Sequence, residues 1–314
     1  MTLKRLTGSI VASFAALLAF GVSAYASGDY HGPTPGALGM QEPVNELARE
    51  LQWFHTDLVM PIITAITILV FVLMVWIVLR YREKANPEPS KTTHNTLLEV
   101  IWTGIPILIL VVIAVPSFRL LYLQDVVPDT EFAVRITGNQ WNWTYEYPDH
   151  GGINFTATMV PDNAYESNPV GGFDPAVKKE YEDDLSEFLG RPATLNARLL
   201  DTDLRMVVPV NTKIKVYLTA SDVIHAWTIP AFGVKLDAVP GRQNETWFDA
   251  DEIGTYYGQC SELCGKDHAY MPIAVEVVSK EDFAAWVKHA KREYADAGAL
   301  YRQFAAAGAL VAGR

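Results

Sequence analysis

The segment CSELCGKDHAYM, at residues 260–271, carries two thiols, one imidazole and one thioether within twelve residues. A second imidazole stands upstream at His225, in the segment SDVIHAWTIP. Thiolate, thioether and imidazole together form a soft ligand set that favours copper. A single blue-copper site needs two histidines, one cysteine and a weak axial methionine, so this set has one cysteine too many for it. Two thiolates that both bridge would hold a second copper ion.

Three other interpretations of these residues stay open on spacing alone. Cys260 and Cys264, the only cysteines of the chain, could form a disulfide in an exported loop. Together with His225 and His268 they could make a structural zinc site, or His225 could be a core histidine satisfied by hydrogen bonds. Met271 favours copper. The other histidines have no comparable context and are interpreted as ordinary: His31, His55, His94, His150 and His289. The sequence has no C-x-x-C-H motif for a covalent c-type haem.

Outward from the ligand segment, apolar and polar residues alternate with a period of two. The alternation occurs at 131–137, 141–147, 214–218 and 273–277. It is typical of strands with one buried face. Several short strands separated by Gly/Pro turns predict an all-β, Greek-key sandwich. Residues 151–200 are less regular and are interpreted as an insertion with one short helix.

A helix is predicted after the last strand. Ser279 can cap it, with Asp282 at the capping-box position. Apolar residues then follow helical spacing at Phe283, Trp286, Val287, Ala290 and Tyr294. The tail from Ala295 is rich in alanine.

Two apolar runs upstream are long enough to span a bilayer. Leu58–Leu79 carries no charge, and Leu97–Phe118 carries one, at Glu99. Pro106 and Pro116 lie within the second run, where proline is tolerated. The intervening loop is basic, with Arg80, Arg82, Lys84 and Lys91, and the positive-inside rule places it in the cytoplasm. Both outer flanks of this two-helix hairpin are then on the opposite side.

The first 26 residues are typical of a secretory signal. Lys4 and Arg5 precede an apolar stretch from Ile10 to Val22, and Ala24-Tyr25-Ala26 is a small-residue cleavage site. The alternative is a third, uncleaved span, which the short apolar stretch disfavours. A cleaved signal sends the following segment out of the cytoplasm, in agreement with the hairpin.

The charge of the chain is concentrated in the exported part. Residues 121–280 hold 24 acidic and 12 basic residues, a net of −12. Such a domain repels nucleic acid and favours a basic partner, mainly through the association rate, although acidity could serve solubility alone. We expect Asp201, Asp203 and Asp222, which flank the ligand segments in sequence, to contribute to this steering.

Three segments resemble subunit II of haem-copper cytochrome c oxidase of the bacterial aa3-like, CuA-containing kind. They are GQCSELCGKDHAYMP, DVIHAWTIPAFGVKLDAVPGR and the aromatic run QWNWTYEYP, within a resemblance that covers roughly residues 45–290. The resemblance implies a two-helix transmembrane hairpin followed by an all-β cupredoxin domain and a C-terminal helix. The expected division is a signal peptide at 1–26, a periplasmic segment at 27–56, the hairpin at 57–119, the cupredoxin domain at 120–280, and the helix and tail at 281–314.

The resemblance also assigns the metal ligands of a binuclear copper centre. Cys260 and Cys264 would be bridging thiolates, His225 and His268 terminal imidazoles, and Met271 a weak thioether ligand. Glu262 would ligate through its main-chain carbonyl, and its side chain would reach a magnesium ion shared with subunit I.

The implied function is electron transfer from cytochrome c, soluble or membrane-anchored, to haem in subunit I. Oxygen reduction and proton pumping would take place there. Trp141 matches the tryptophan where the electron arrives, although it could be one more core aromatic of its stripe. Glu99 matches a glutamate at the mouth of a proton channel, although it could simply reach the lipid headgroups from a helix end. The implied partners are subunits I and III, cytochrome c and the lipid bilayer of the bacterial inner membrane, with the C-terminal domain in the periplasm and no nucleic acid.

Two departures and two alternatives accompany this resemblance. Asn142 stands where the family usually has an aromatic residue, and the 151–200 insertion varies in the family. A quinol-oxidase-type subunit II would lack the copper ligands, which this sequence has. A copper or zinc carrier would not need the hairpin or Glu99.

Overall fold

The computed structural model describes residues 30–34, 36–88 and 90–295 of the chain. The expected signal peptide and the tail beyond Ala295 lie outside these residues. The helices are α1 (Glu46–Trp53), α2 (Met60–Arg80), α3 (Thr96–Asp125), α4 (Pro175–Leu189) and α5 (Lys280–Tyr294). The strands are β1 (Tyr30–His31), β2 (Phe132–Asn139), β3 (Asn142–Tyr147), β4 (Ile153–Ala157), β5 (Met206–Pro209), β6 (Ile214–Ala220), β7 (His225–Ile229), β8 (Val234–Ala238), β9 (Asn244–Phe248), β10 (Gly254–Gln259) and β11 (Pro272–Val278).

The two predicted apolar helices are present and are long and apolar enough to cross a membrane. The first is continuous from Glu46 to Arg80, because a π-helical turn, Phe54–Val59, joins α1 to α2. The second is α3, which contains both prolines and begins at the Asn95 cap, whose side chain accepts from the N–H groups of Leu97 and Leu98. Their apolar surface is unburied within the chain, as expected of helices that face lipid or other subunits.

The part of the chain that follows α3 forms, together with β1, the β-domain, which is built on two sheets. One has five strands in the order β4-β3-β2-β6-β9, and the other has four in the order β1-β10-β11-β5, while β7 and β8 form a separate hairpin. Strands β2 and β6 show the predicted alternation of buried and half-buried residues. Strand β11 differs, because all seven of its residues are buried. Its second face is covered too, and the carboxylate of Glu276 on β11 is paired with arginines.

That carboxylate belongs to a buried ionic cluster. The Arg205 guanidinium donates to Asp201 Oδ1 at 3.1 Å and to Glu276 Oε2 at 2.9 Å, and Arg191 also pairs with Glu276. Asp201 has no exposed surface and Arg205 has 3%. The expectation that Asp201 steers a partner is therefore wrong, because this charge is neutralised inside the domain.

The 151–200 region contains more regular structure than predicted. Its single α-helix is α4, capped by Asp174 and ended by Gly190, which adopts a left-handed φ of 67°. Strand β4, at the edge of the five-stranded sheet, was not predicted. Helix α4 packs through Phe188, whose ring lies 5.8 Å from that of Trp286 on α5. The extra helix therefore closes one side of the aromatic core.

Helix α5 confirms its prediction. The Ser279 hydroxyl accepts from the Asp282 N–H at 3.0 Å, and Phe283, Trp286, Val287 and Ala290 are buried.

Helix α1 attaches the membrane helices to the β-domain. The Asn45 side chain caps α1 and donates to the carbonyls of Phe232 and Asp249, at 3.1 and 2.9 Å. Arg49 pairs with Asp251 of the domain at 2.8 Å, and Glu50 pairs with Arg119 near the end of α3 at 3.1 Å. These contacts fix the position of the β-domain relative to the two apolar helices.

Candidate metal centre

The predicted ligands lie at the start of one strand and on one loop. His225 is the first residue of β7, and residues 260–271 connect β10 to β11. The Ser261 N–H donates to the Ala226 carbonyl at 3.0 Å, which joins this loop to β7. Gly258 allows this contact, because a Cβ there would lie 1.8 Å from the Thr228 carbonyl oxygen. The approach of β10 to β7 therefore places Cys260 beside His225.

The structure brings all six predicted ligand groups together. The two sulfur atoms of Cys260 and Cys264 lie 3.8 Å apart. Cys260 Sγ is 3.9 Å from His225 Nδ1 and 3.3 Å from the Glu262 carbonyl oxygen. Cys264 Sγ is 3.5 Å from His268 Nδ1 and 3.4 Å from Met271 Sδ. Each thiol thus has one imidazole and one weaker donor beside it.

These distances bear on the alternatives. A disulfide requires sulfur atoms about 2.05 Å apart, and both cysteines are free thiols in this structure. A metal–sulfur bond of about 2.3 Å lets one ion contact two sulfurs that are 3.8 Å apart. The ligand atoms of His225, Cys260 and Cys264 all lie within 4.8 Å of one another. The donor set therefore fits soft metal ions, and Met271 Sδ and the Glu262 carbonyl extend it beyond the four ligands of a structural zinc site.

Burial governs the protonation of the Cys264 thiol. It raises the pKa of this thiol to about 12, and the neighbouring Cys260 thiol adds to the rise. The metal-free Cys264 thiol therefore holds its proton at neutral pH. A bound cation reverses this preference, since a coordinating thiol is deprotonated.

Asp222 orients His225. Its Oδ1 lies 2.9 Å from His225 Nε2, and an Nε2–H that donates there leaves the Nδ1 lone pair for a metal. Burial alone would raise the pKa of Asp222, but hydrogen bonds from His225 and from the N–H groups of Val223 and Gln140 outweigh it and lower the pKa. Asp222 was predicted only as a steering charge. Its position three residues before a ligand histidine was the sequence signal for this contact.

Trp141 and Trp143 contact the site from the side of β2 and β3. Trp141 precedes β3 rather than belonging to it, is half-buried, and donates from Nε1 to the Cys264 carbonyl at 3.2 Å. Trp143 is fully buried, donates to the Met271 carbonyl at 3.4 Å, and lies 5.8 Å from the His225 ring. Trp141 is therefore the accessible member of the stripe, and Trp143 is a core residue.

The two predicted carboxylates are both exposed. The Glu262 side chain is exposed, while its main-chain carbonyl oxygen lies 3.3 Å from Cys260 Sγ. Glu99 is exposed in the first turn of α3, and with a rise of about 1.5 Å per residue this 30-residue helix separates it by about 40 Å from the β-domain. Asp203, predicted as a steering charge, is half-buried and accepts from the backbone N–H groups of Thr158 and Leu204.

A β-sandwich that is anchored by two apolar helices and holds paired thiols, imidazoles and a thioether at one end defines a membrane-anchored protein with a soft-ligand metal centre. Comparison with known proteins identifies the family within this class. Residues 33–120 match the family described as cytochrome c oxidase subunit II, transmembrane domain, and residues 132–172 and 189–278 match the periplasmic domain of the same subunit. The chain belongs to the cytochrome c oxidase subunit II family.

Two relatives illustrate the similarity. A probable cytochrome c oxidase subunit 2 from Rickettsia bellii is 44% identical over 255 residues, which are 81% of this chain and 84% of the relative. Cytochrome c oxidase subunit 2 from Cereibacter sphaeroides is 45% identical over 259 residues, or 82% of either chain. The crystal structure of the periplasmic domain of subunit II from Bradyrhizobium japonicum is 45% identical and covers 54% of this chain and 99% of its own, with a TM-score of 0.43.

Family membership confirms the expected fold of two apolar helices and a β-rich cupredoxin-like periplasmic domain, and the structure shows the expected C-terminal helix, α5. As a subunit II, the chain is part of a haem-copper oxidase, an oxidoreductase complex with other subunits, in a family that normally binds copper. The matched ranges omit 173–188, so the insertion relative to the family is essentially α4 and is shorter than the predicted 151–200.

Proposed function

We propose that this chain is the electron-accepting subunit of its oxidase and takes electrons from cytochrome c at a binuclear copper centre. The observation that carries the proposal is the convergence of two thiols, two imidazoles, a thioether and a carbonyl. Each cysteine sulfur lies 3.3–3.9 Å from the other donor atoms that it contacts. Cys260 and Cys264 would bridge two copper ions, with His225 and His268 as terminal ligands and Met271 and the Glu262 carbonyl as weak ones. When bound, the copper pair supplies reversible one-electron storage.

The chain's own residues give this centre a rigid, water-poor setting. Cys260, Cys264 and Met271 are each less than 7% exposed, and His225 is fully buried. A site that is fixed by packing and by hydrogen bonds around its ligands reorganises little when its charge changes. The fold therefore contributes positioning and a low local polarity.

Docking of cytochrome c is supported by the surface around the loops. Exposed apolar side chains immediately flank the ligands, at Val223, Ile224, Leu263 and Tyr270. The acidic balance of residues 121–280 adds attraction for a basic partner. Trp141 lies at the edge of this surface with its indole N–H bonded to the Cys264 carbonyl, which makes it the residue through which the electron would arrive.

The remaining roles follow from the position of each carboxylate. Glu99 lies near the cytoplasmic end of α3, where an ionisable group is costly unless it is paired, protonated or wet. We assign it to proton uptake into subunit I. The exposed Glu262 side chain would share a magnesium ion with subunit I. The copper centre would pass its electrons to haem in subunit I, where oxygen would be reduced and protons pumped. Subunits I and III would surround the hairpin in the bacterial inner membrane.

A metal carrier is the competing function. A carrier would leave its metal exchangeable, whereas the thiols here are buried, and it would need neither the hairpin nor a tryptophan hydrogen-bonded to the Cys264 carbonyl. The test is Trp141→Phe in the assembled oxidase, with Trp53→Phe on α1 as the matched control. Rapid mixing with reduced cytochrome c should show slower electron delivery at nearly unchanged affinity for Trp141→Phe only. Weaker binding at an unchanged limiting rate would make Trp141 a docking residue, and unchanged delivery would refute its role.

A further inference from the structure

Gln140 connects the two halves of the metal centre. Its backbone N–H donates to Asp222 Oδ2 at 2.7 Å, and the other oxygen of Asp222 contacts His225. Its side-chain amide reaches across and donates from Nε2 to the Cys264 carbonyl at 2.8 Å. One residue is thus bonded to the carboxylate that orients an imidazole and to the main chain of a thiol ligand.

The Cys264–Gly265 peptide is shaped to receive this contact. The Cys264 carbonyl accepts a second hydrogen bond, from Trp141 Nε1, so two consecutive side chains share one acceptor. Gly265 has a φ of +125°, and a Cβ there would lie 3.0 Å from Trp141 Cζ2 and 3.1 Å from Gln140 Nε2. Any larger residue at 265 would push the pair away from the carbonyl.

We propose that Gln140 is a positioning residue of the metal centre, which fixes the segment of His225 relative to the loop of Cys264. The inference rests on the proposed function. It differs from a role in docking, because both hydrogen bonds of Gln140 point inward to groups that surround the ligands. Residues that orient metal ligands typically change metal affinity by about 10- to 100-fold when they are replaced.

Two substitutions separate the effect of the amide's hydrogen bond from the effect of the side chain's size. Gln140→Glu keeps the shape, but an ionised carboxylate cannot donate to the Cys264 carbonyl. Gln140→Leu removes all polarity. Gln243→Glu is the matched control, because Gln243 is exposed on the same domain and undergoes the same change of charge.

The test uses the full chain in detergent. Titration of copper-loaded protein with a chelator should show affinity lowered by about 10- to 100-fold in both Gln140 variants and unchanged in Gln243→Glu. The reduction potential of the centre should shift in the Gln140 variants alone. In the metal-free chain, amide hydrogens of residues 262–268 should exchange faster than in the wild type. Wild-type affinity, potential and exchange in both variants would overturn the proposal.

The outcomes distinguish this inference from the proposed function. A wild-type chain that binds no copper would refute the proposed function, while hydrogen exchange in the metal-free chain would still decide the role of Gln140. If Gln140→Leu does not fold, Gln140→Asn, which keeps the amide one methylene shorter, should show the same faster exchange. Altered docking of cytochrome c at an unchanged potential would make Gln140 a surface residue and contradict the inference.

Discussion

Replacement of Arg205 by methionine should destabilise the periplasmic domain far more than loss of a lysine from a surface ion pair. Arg205 is 3% exposed and donates four hydrogen bonds, to Asp201 and Glu276 at 3.1 and 2.9 Å and to Thr255 Oγ1 and the Thr194 carbonyl at 3.1 and 3.0 Å. Removing one partner of a buried ion pair typically costs about 3–5 kcal/mol, because a charge is left uncompensated.

The structure sets the expected cost near the lower limit. Asp201 keeps four donors after the change: the N–H groups of Asn196 and Ala197 and the hydroxyls of Tyr165 and Tyr257. Glu276 keeps Arg191 and Thr255. We therefore expect a loss of about 3 kcal/mol, which at about 2 kcal/mol per M of urea lowers the unfolding midpoint by about 1.5 M.

Pulse proteolysis of the full chain in detergent at increasing urea measures this shift. Lys215→Met is the control, because Lys215 pairs with Glu245 at 2.8 Å on the surface and such pairs contribute about 0–1 kcal/mol. Arg205→Met combined with Asp201→Asn should recover part of the loss. A midpoint of Arg205→Met equal to that of Lys215→Met would refute the reasoning.

Three further predictions concern the site, the membrane and pH. Asp222→Asn should weaken copper retention by about 10-fold or more in a chelator titration, because His225 loses a charged acceptor. The control Asp237→Asn, which replaces an exposed acid, should leave copper retention unchanged. An effect confined to the salt dependence of cytochrome c oxidation would restore Asp222 to a steering role. Glu99→Ala should slow turnover of the assembled oxidase, and Glu99→Asp should slow it less, without a change in the copper spectrum; normal turnover of Glu99→Ala would return Glu99 to a headgroup-facing role. Burial lowers the pKa of His150, so the folded state binds its proton less readily than the unfolded chain, and domain stability should fall as pH drops below the ordinary histidine value of about 6.5. Unfolding midpoints between pH 5 and 8 should show a shallower decline for His150→Gln, and identical slopes would contradict this assignment.

The sequence predicted those features that depend on residues close to one another along the chain. The spacing of residues 260–271 predicted a soft-ligand site because its donors lie within one loop. The apolar runs predicted α2 and α3, and Ser279 with Asp282 predicted the start of α5. Each signal is local, since a span, a cap or a ligand loop is recognised from its own residues.

Contacts between distant segments could not be predicted in this way. Asp201 was expected on the surface, but it lies inside the domain because Arg205 and β11 pack over it. Trp141 continued the alternation of β3 in sequence, yet it lies before the strand and bonds to a residue 123 positions away. Gln140 begins the run QWNWTYEYP, but its hydrogen bonds to Asp222 and Cys264 connect segments that are far apart in sequence and could not be predicted from that run.

The metal content and absorption spectrum of the full chain, purified from membranes in detergent, test the central claim most directly. The convergence of His225, Cys260, Cys264, His268 and Met271 predicts two copper ions per chain and a coloured oxidised form. Cys260→Ser and Cys264→Ser should each abolish that spectrum. A single zinc ion per chain, or a Cys260–Cys264 disulfide in the assembled protein, would contradict the account.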